Sequence, residues 1–152
     1  MGDYEKPTDA VIFDVDGTLA DCDHRRHFVE GEKKNFDDFY DAMNADRIKD
    51  RIRGLCNMFY MNGFHIIVCT GRPEKYAGVT ERWLKEHGVF FHQLMCRPDH
   101  RRHEPDYKIK QDMLDFIKQT RDVHLAVDDR NQVVDMWRRN GITCLQCAEG
   151  NF

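Results

Sequence analysis

The chain has 152 residues, enough for one domain with its own core, and its 41% hydrophobic and 33% charged residues suit a charged globule rather than a disordered tail. A net charge of −4 argues against a protein that grips long nucleic acid through many phosphates, although Arg97, His100, Arg101, Arg102 and His103 form one local basic segment. No apolar run approaches a membrane span and the start, MGDYEKPTD, lacks the apolar centre of a signal peptide; the six scattered cysteines therefore read as reduced thiols of a cytoplasmic protein.

The first apolar run, residues 10–15, reads as a buried parallel strand. A polar segment with Asp21, Asp23, His24, Arg25, Arg26 and His27 follows, and Phe36, Phe39, Tyr40 and Met43 suggest a helix lying over the strand end. Ile48, Ile52, Leu55 and Phe59 then recur at helical spacing, with Gly63 placed just past the helix end. HIIVCT, residues 65–70, is the second strand. Pro73 suits an early helical position, and Tyr76, Val79, Trp83 and Leu84 give the face of a helix ending at Gly88. Residues 89–95 make a half-exposed third strand and 96–105 a polar loop. Asp106 is placed to cap a helix whose apolar members are Ile109, Met113, Phe116 and Ile117. Residues 124–127 are a strand, Val133, Val134 and Trp137 a short helix stopping before Gly141, and 142–147 the last strand. Strands alternating with amphipathic helices predict an α/β domain spanning 1–152, its mostly parallel sheet covered on both faces, with residues 21–58 as a small cap insertion.

Two acidic pairs close two of these strands, Asp14/Asp16 in VIFDVDGTLA and Asp128/Asp129 in LAVDDRNQVV. In an open α/β sheet, ligands bind beyond the carboxyl ends of the strands, so neighbouring strands would bring four carboxylates into one small volume. Like charges that close need a cation among them, and oxygen-only ligands suit Mg²⁺. In Asp-x-Asp, both carboxylates leave the strand on one side. One can attack an electrophile while the other delivers and later removes a proton.

With a Thr-Gly-Arg strand end and a later lysine, these residues resemble the haloacid-dehalogenase (HAD) superfamily of phosphotransferases, with its Rossmann-like fold. The resemblance implies Asp14 as nucleophile, Asp16 as general acid and base, and Thr70 as a hydroxyl donor to a phosphate oxygen. Lys110 in DYKIKQDM would balance the charge, and Asp128 and Asp129 would hold Mg²⁺ with Asp14 and the backbone of Asp16. More narrowly, KPTDAVIFDVDGTLA, NGFHIIVCTGR and LAVDDRNQVVDMWRRNGITCLQCAEGNF look like the 3′-phosphatase domains of bacteriophage polynucleotide kinase/phosphatases. By position that likeness adds Arg25, with Arg26 an equal claimant, and Gly71, Arg72 and Asp106 as substrate-binding residues. Between residues 21 and 58, and between 88 and 104, it fades.

The resemblance implies a Mg²⁺-dependent phosphomonoesterase that acts on 3′-phosphorylated nucleic-acid ends or nucleotides in DNA or RNA repair, beside a separate kinase or ligase. No G-x-x-x-x-G-K-[ST] loop is present, so no kinase activity is expected. A phosphatase for nucleoside 5′-monophosphates or other small esters is the rival, and an inactive or zinc-binding interaction module the alternative of another class. For zinc, the candidates are His92, Cys96, His100 and His103. Cys144 and Cys147 form a C-x-x-C best read as packing, and Trp83 and Trp137 read as core. Phe36, Phe39 and Tyr40 are open between core and a base-stacking surface.

Overall fold

The computed structural model describes residues 9–152, so the reading of the first eight lies outside it. Its centre is β1 (Ala10–Phe13), all four residues of which are buried. Parallel to it run β4 (His65–Pro73) on one side and β6 (Val123–Asp128) on the other. β5 (Gln93–Arg97) and β7 (Cys144–Gln146) extend the sheet outward, giving the order β5-β4-β1-β6-β7. All four pairings are parallel, as the continuous apolar runs predict.

Strand alternation sends side chains to two separate cores. Ala10, Ile12, Ile67, Cys69 and Ala126 pack against α4 (Asp106–Ile117) and α5 (Asn131–Arg139). Val11, Phe13, Ile66, Val68 and Val127 face the other way, against α2 (Asp50–Met61) and α3 (Ala77–Glu86). The chain is thus an α/β sandwich of helix, sheet and helix, and its sequence reversal across β1 opens a crevice at the strands' carboxyl ends. Among the described residues no helix is long and apolar enough to cross a membrane.

Of the span 21–58 expected as a cap insertion, only the part before Asp50 leaves the layers packed on the sheet. Its excursion holds a two-stranded antiparallel ribbon, β2 (Ala20–Asp21) with β3 (Arg47–Ile48), a 3₁₀ turn at Asp23–Val29, and α1 (Phe36–Asp41). From Asp50 onward, α2 belongs to the layer covering the sheet, where Ile52, Leu55 and Phe59 join the core. Ile48, expected on that helix, lies in β3, although its side chain packs on the same core.

Other boundaries moved for physical reasons. The third strand starts at Gln93, not residue 89, because pairing with β4 begins only at Ile67; before it, His92 ties to Ile66 through its ring and backbone. β4 runs on to Pro73, which pairs with Arg97 after an irregularity. Asp106 opens α4 inside its first turn, and Pro105 takes the cap position with no side-chain bond.

Phe116 is 57% exposed, because the buried arc of α4 runs through Ile109, Met113, Ile117, Lys110 and Leu114 and leaves residue 116 just beyond its edge. The two positions should therefore separate in urea unfolding. Leu114→Ala is expected to cost about 2–5 kcal/mol through the cavity it leaves. Phe116→Ala should stay within about 0.5 kcal/mol of the parent.

Candidate active site

Asp14 follows β1 directly, and Phe13 pairs with both Val127 and Val68, so Asp14 meets the carboxyl ends of β6 and β4 at once. Lys110, buried on α4, reaches into this junction. Its Nζ donates to Asp14 Oδ1 at 2.8 Å and Asp128 Oδ2 at 2.8 Å, with Asp106 Oδ2 at 3.7 Å. Thr18 Oγ1 donates to the other oxygen of Asp14 at 3.2 Å. Asp128 also accepts from the Trp137 indole at 3.3 Å and from the backbone N–H of Asp129 at 2.9 Å. Both expected core tryptophans are buried, and this one also orients a site carboxylate.

Asp129 packs against Gly17, whose φ of +83° and missing Cβ admit the carboxylate; any side chain there would collide with it. The closing segment fixes the pair from behind. Cys147 N–H donates to the Asp128 carbonyl at 3.1 Å, and Gln146 Nε2 to that of Asp129 at 2.9 Å. Ligand oxygens of Asp14, Asp128 and Asp129 all lie within 4.8 Å of one another.

Burial, then the charge of Asp128, drive the Asp14 carboxyl well above its ordinary value, with Lys110 opposing. The same two causes push Asp129 up to about 6. Against the cost of burial, Asp128 and Asp14 hold Lys110 firmly protonated. When ionised, Asp14, Asp128 and Asp129 carry two more negative charges than Lys110 balances, and Asp106 also lies 3.7 Å from that ammonium. An all-oxygen donor set with that excess fits a hard divalent cation.

A second cluster stands beside the first. Arg72, at the end of β4, grips Asp16 with Nη2 at 2.7 Å and Nε at 3.1 Å. Arg25 also bonds Asp16 Oδ1 and reaches both oxygens of Asp46, at 2.8 and 2.7 Å. Arg72 Nη2 shares Asp46 at 3.2 Å, and His24 Nε2 adds a contact to the same carboxylate at 2.7 Å. Against the penalty of burial, Arg72 and then Arg25 hold Asp16 down to about 2. Asp46 is fully buried, and Trp83 Nε1 donates to its carbonyl at 3.2 Å. Nothing in the motif pattern marks Asp46. Its signal was an acid between Ala45 and Arg47, visible only once β3 folds that segment back.

The remaining expected residues fall as follows. Thr70 is buried at the β4 end, its hydroxyl accepting from Arg72 N–H at 3.2 Å. Gly71 lets the Asp106 carboxylate approach its backbone, where a Cβ would clash. Arg25 is buried beneath Asp16, whereas Arg26 lines the cavity. Arg97, from the basic segment, is buried and gathers the carbonyls of Gly71, Arg101 and Glu104 at 2.9, 3.0 and 2.6 Å. That holds Arg102 and His103 at the cavity.

The zinc grouping is corrected. Among the described residues the group able to hold a metal is Asp14, Asp128 and Asp129, and it includes none of His92, Cys96, His100 and His103. His92 is taken up at the sheet edge, its Nδ1 accepting from Ile66 N–H and its ring stacked 4.6 Å from both Tyr60 and His65. The described cysteines are all free thiols, and burial pushes Cys144 up to about 12, which makes it inert packing.

Asp14, Asp16, Asp128 and Asp129 open into one cavity of about 1090 Å³, lined also by Phe36, Tyr40, Lys34, Lys75 and Arg130.

Residues 8–152 match the family model described as the polynucleotide kinase PNKP phosphatase domain. A chain of the Pnkp1/Rnl/Hen1 RNA repair complex is 30% identical, with a TM-score of 0.82 over 95% of this chain and 44% of its own. A second Pnkp1/Rnl/Hen1 structure gives 30% and 0.83, over 99% and 49%. The chain thus spans about half the length of those it matches. A haloacid dehalogenase-like hydrolase from Streptococcus pneumoniae, 15% identical, has the same fold at a TM-score of 0.61 over 91% of this chain and 84% of its own.

Asp46 gives a direct test of the arginine cluster. Asp46→Asn is expected to lower unfolding free energy by about 3 kcal/mol or more, since it strips a buried partner from two guanidiniums. Asp50→Asn, which breaks the 2.6 Å pair of a 71% exposed aspartate with Arg53, should cost about 1 kcal/mol or less in the same urea titration.

Proposed function

The chain belongs to the polynucleotide kinase PNKP phosphatase-domain family, of the HAD superfamily, and from that membership we propose a Mg²⁺-dependent phosphomonoesterase that removes 3′-phosphates from nucleic-acid ends during repair. The observation that carries the reading is the buried junction of Asp14 with Lys110, Asp128 and Asp129, open to a cavity large enough for more than a phosphate group. The likeness to chains of an RNA repair complex supports work beside other repair proteins, such as a separate kinase or ligase.

Asp14, Asp128 and Asp129, with the backbone of Asp16, would hold Mg²⁺, which would neutralise charge on the phosphoryl oxygens. Asp14 Oδ attacks phosphorus in line with the leaving ribose oxygen, giving an aspartyl-phosphate. Lys110 orients the nucleophile and balances the charge that gathers on phosphorus. The Thr70 hydroxyl, which accepts from Arg72 N–H, would donate its own proton to a phosphoryl oxygen.

Asp16 protonates the leaving oxygen and then deprotonates the attacking water. Held near 2 by two guanidiniums, it is fully ionised and cannot give a proton in that state. A dianionic phosphate drawing Arg72 and Arg25 toward itself frees Asp16 and raises its proton affinity just as the leaving group needs it. Gly71 and Asp106 shape the same mouth, Asp106 by holding Arg97 and Lys110 in place.

Phosphate release from a 3′-phosphorylated oligonucleotide, its 5′-phosphorylated isomer and free nucleoside monophosphates tests the reading. The 3′ oligonucleotide should be preferred at least tenfold in kcat/KM; preference for the 5′ or mononucleotide substrates would favour the small-ester rival. Asp14→Asn should abolish turnover in a folded protein, whereas retained binding with no parent activity would indicate an inactive module.

The cation has its own signature. Asp129 at about 6, above its ordinary 3.8, means the metal-free fold binds more protons than the unfolded chain between those values and loses stability as pH rises through them. Mg²⁺ binding to the ionised carboxylates offsets that loss. Its addition after chelation should raise the Tm more at pH 7 than at pH 5, and an equal or absent shift would remove the metal from this site.

A further inference from the structure

The helix α1 carries three aromatic residues in six, FDDFYD, yet buries none of them fully. Phe36 is 51% exposed, and it lines the same cavity as Asp14 and Asp16. A helix recruited only for packing would turn such rings inward. Here the rings divide the task. Phe39 faces the chemistry, with the Arg25 guanidinium 4.1 Å over its ring and bonded to its carbonyl at 3.2 Å. Phe36 faces the open cavity.

The exposed ring is held in place rather than loose. Its centroid lies 6.4 Å from that of Tyr40 at an interplanar angle of 26°, and Tyr40 lies 5.2 Å from Tyr76 at 35°. Lys75 sits 5.0 Å over Tyr76 and within 3.7 Å of Asp37, tying α1 to the start of α3. Asn35 caps the helix, accepting from Asp38 N–H at 3.0 Å and donating to its carboxylate at 2.7 Å. An ordered aromatic face with cations beside it suits a flat, electron-rich ring attached to an anionic backbone.

We infer that Phe36, backed by Tyr40 and Tyr76, is a stacking platform for the nucleobase next to the phosphate-bearing end of a bound strand. The inference rests on the 3′-phosphatase reading and deepens it. With a net charge of −4 the protein has no overall field to retain a polyanion, so local contacts must do so. Lys34, Lys75, Arg26 and Arg102 line the cavity and can meet the strand's phosphates. Stacking on an aromatic ring adds about 1–3 kcal/mol per base and accepts any base. The platform therefore selects strands over small phosphate esters.

The test uses Asp14→Asn to keep a 3′-phosphorylated oligonucleotide intact, with 2-aminopurine next to its terminal nucleotide. Binding should quench the fluorescence; adding Phe36→Ala should abolish the quench, and Phe36→Tyr should restore it. In the active protein, Phe36→Ala should lower the ratio of kcat/KM for the oligonucleotide to that for glycerol 2-phosphate by on the order of tenfold. A quench that survives Phe36→Ala, or an unchanged ratio because both substrates fall together, would overturn the platform while leaving the 3′-phosphatase reading standing. A parent protein that releases phosphate from glycerol 2-phosphate but not from the 3′ oligonucleotide would overturn both.

Discussion

An uncompensated negative charge in a buried place governs this molecule. Asp14, Asp128 and Asp129 surround a single ammonium, Lys110, that already bonds two of them. The fold reaches this arrangement only because β1 is the middle strand and β6 its neighbour, which lines up the first acidic pair with the second across more than a hundred residues of chain. Its cost is visible in the raised proton affinities of Asp14 and Asp129. It falls on the fold itself, as the closing segment, the Trp137 indole and Gly17 all serve to keep those carboxylates where repulsion would part them. Strain of this kind persists only where the surrounding structure over-determines it.

The neighbouring cluster has the opposite character. Arg25 and Arg72 are buried cations satisfied by Asp16 and Asp46, so this half of the site is neutral and complete without a ligand. The two halves share one residue pair in sequence, Asp14 and Asp16, and treat it differently: one carboxylate starved of positive charge, the other saturated with it. Without cation and substrate these pressures run against the roles proposed for the pair, so charge brought to Asp14 by a cation and taken from Asp16 by a phosphate would have to reverse them.

The sheet, its helices and the acidic junction were legible in the sequence because they depend on short-range patterns: apolar runs for strands buried on both sides, helical spacing, and carboxylates at strand ends. Arg72 and Lys110 were found by the company they keep in motifs. Asp46 was not, because its meaning comes from β3 pairing with β2, a two-residue contact that no periodicity announces. Phe116 was misplaced since spacing alone cannot tell the edge of a buried arc from its middle. His92 suggested a zinc ligand by residue type, and the sheet edge claimed it first.

Arg97 deserves a last thought for the kind of bond it makes. Three of its four partners are main-chain carbonyls, those of Gly71, Arg101 and Glu104. That share of the turn's anchorage owes little to the identity of its side chains. Of residues 99–103, Asp99 and Arg101 add side-chain anchors of their own, to Lys75 N–H and to Glu104 and Asp112, whereas Arg102 and His103 at the cavity can be exchanged while the path of the chain stays put. Diversification of this domain would then proceed by redecorating an anchored loop.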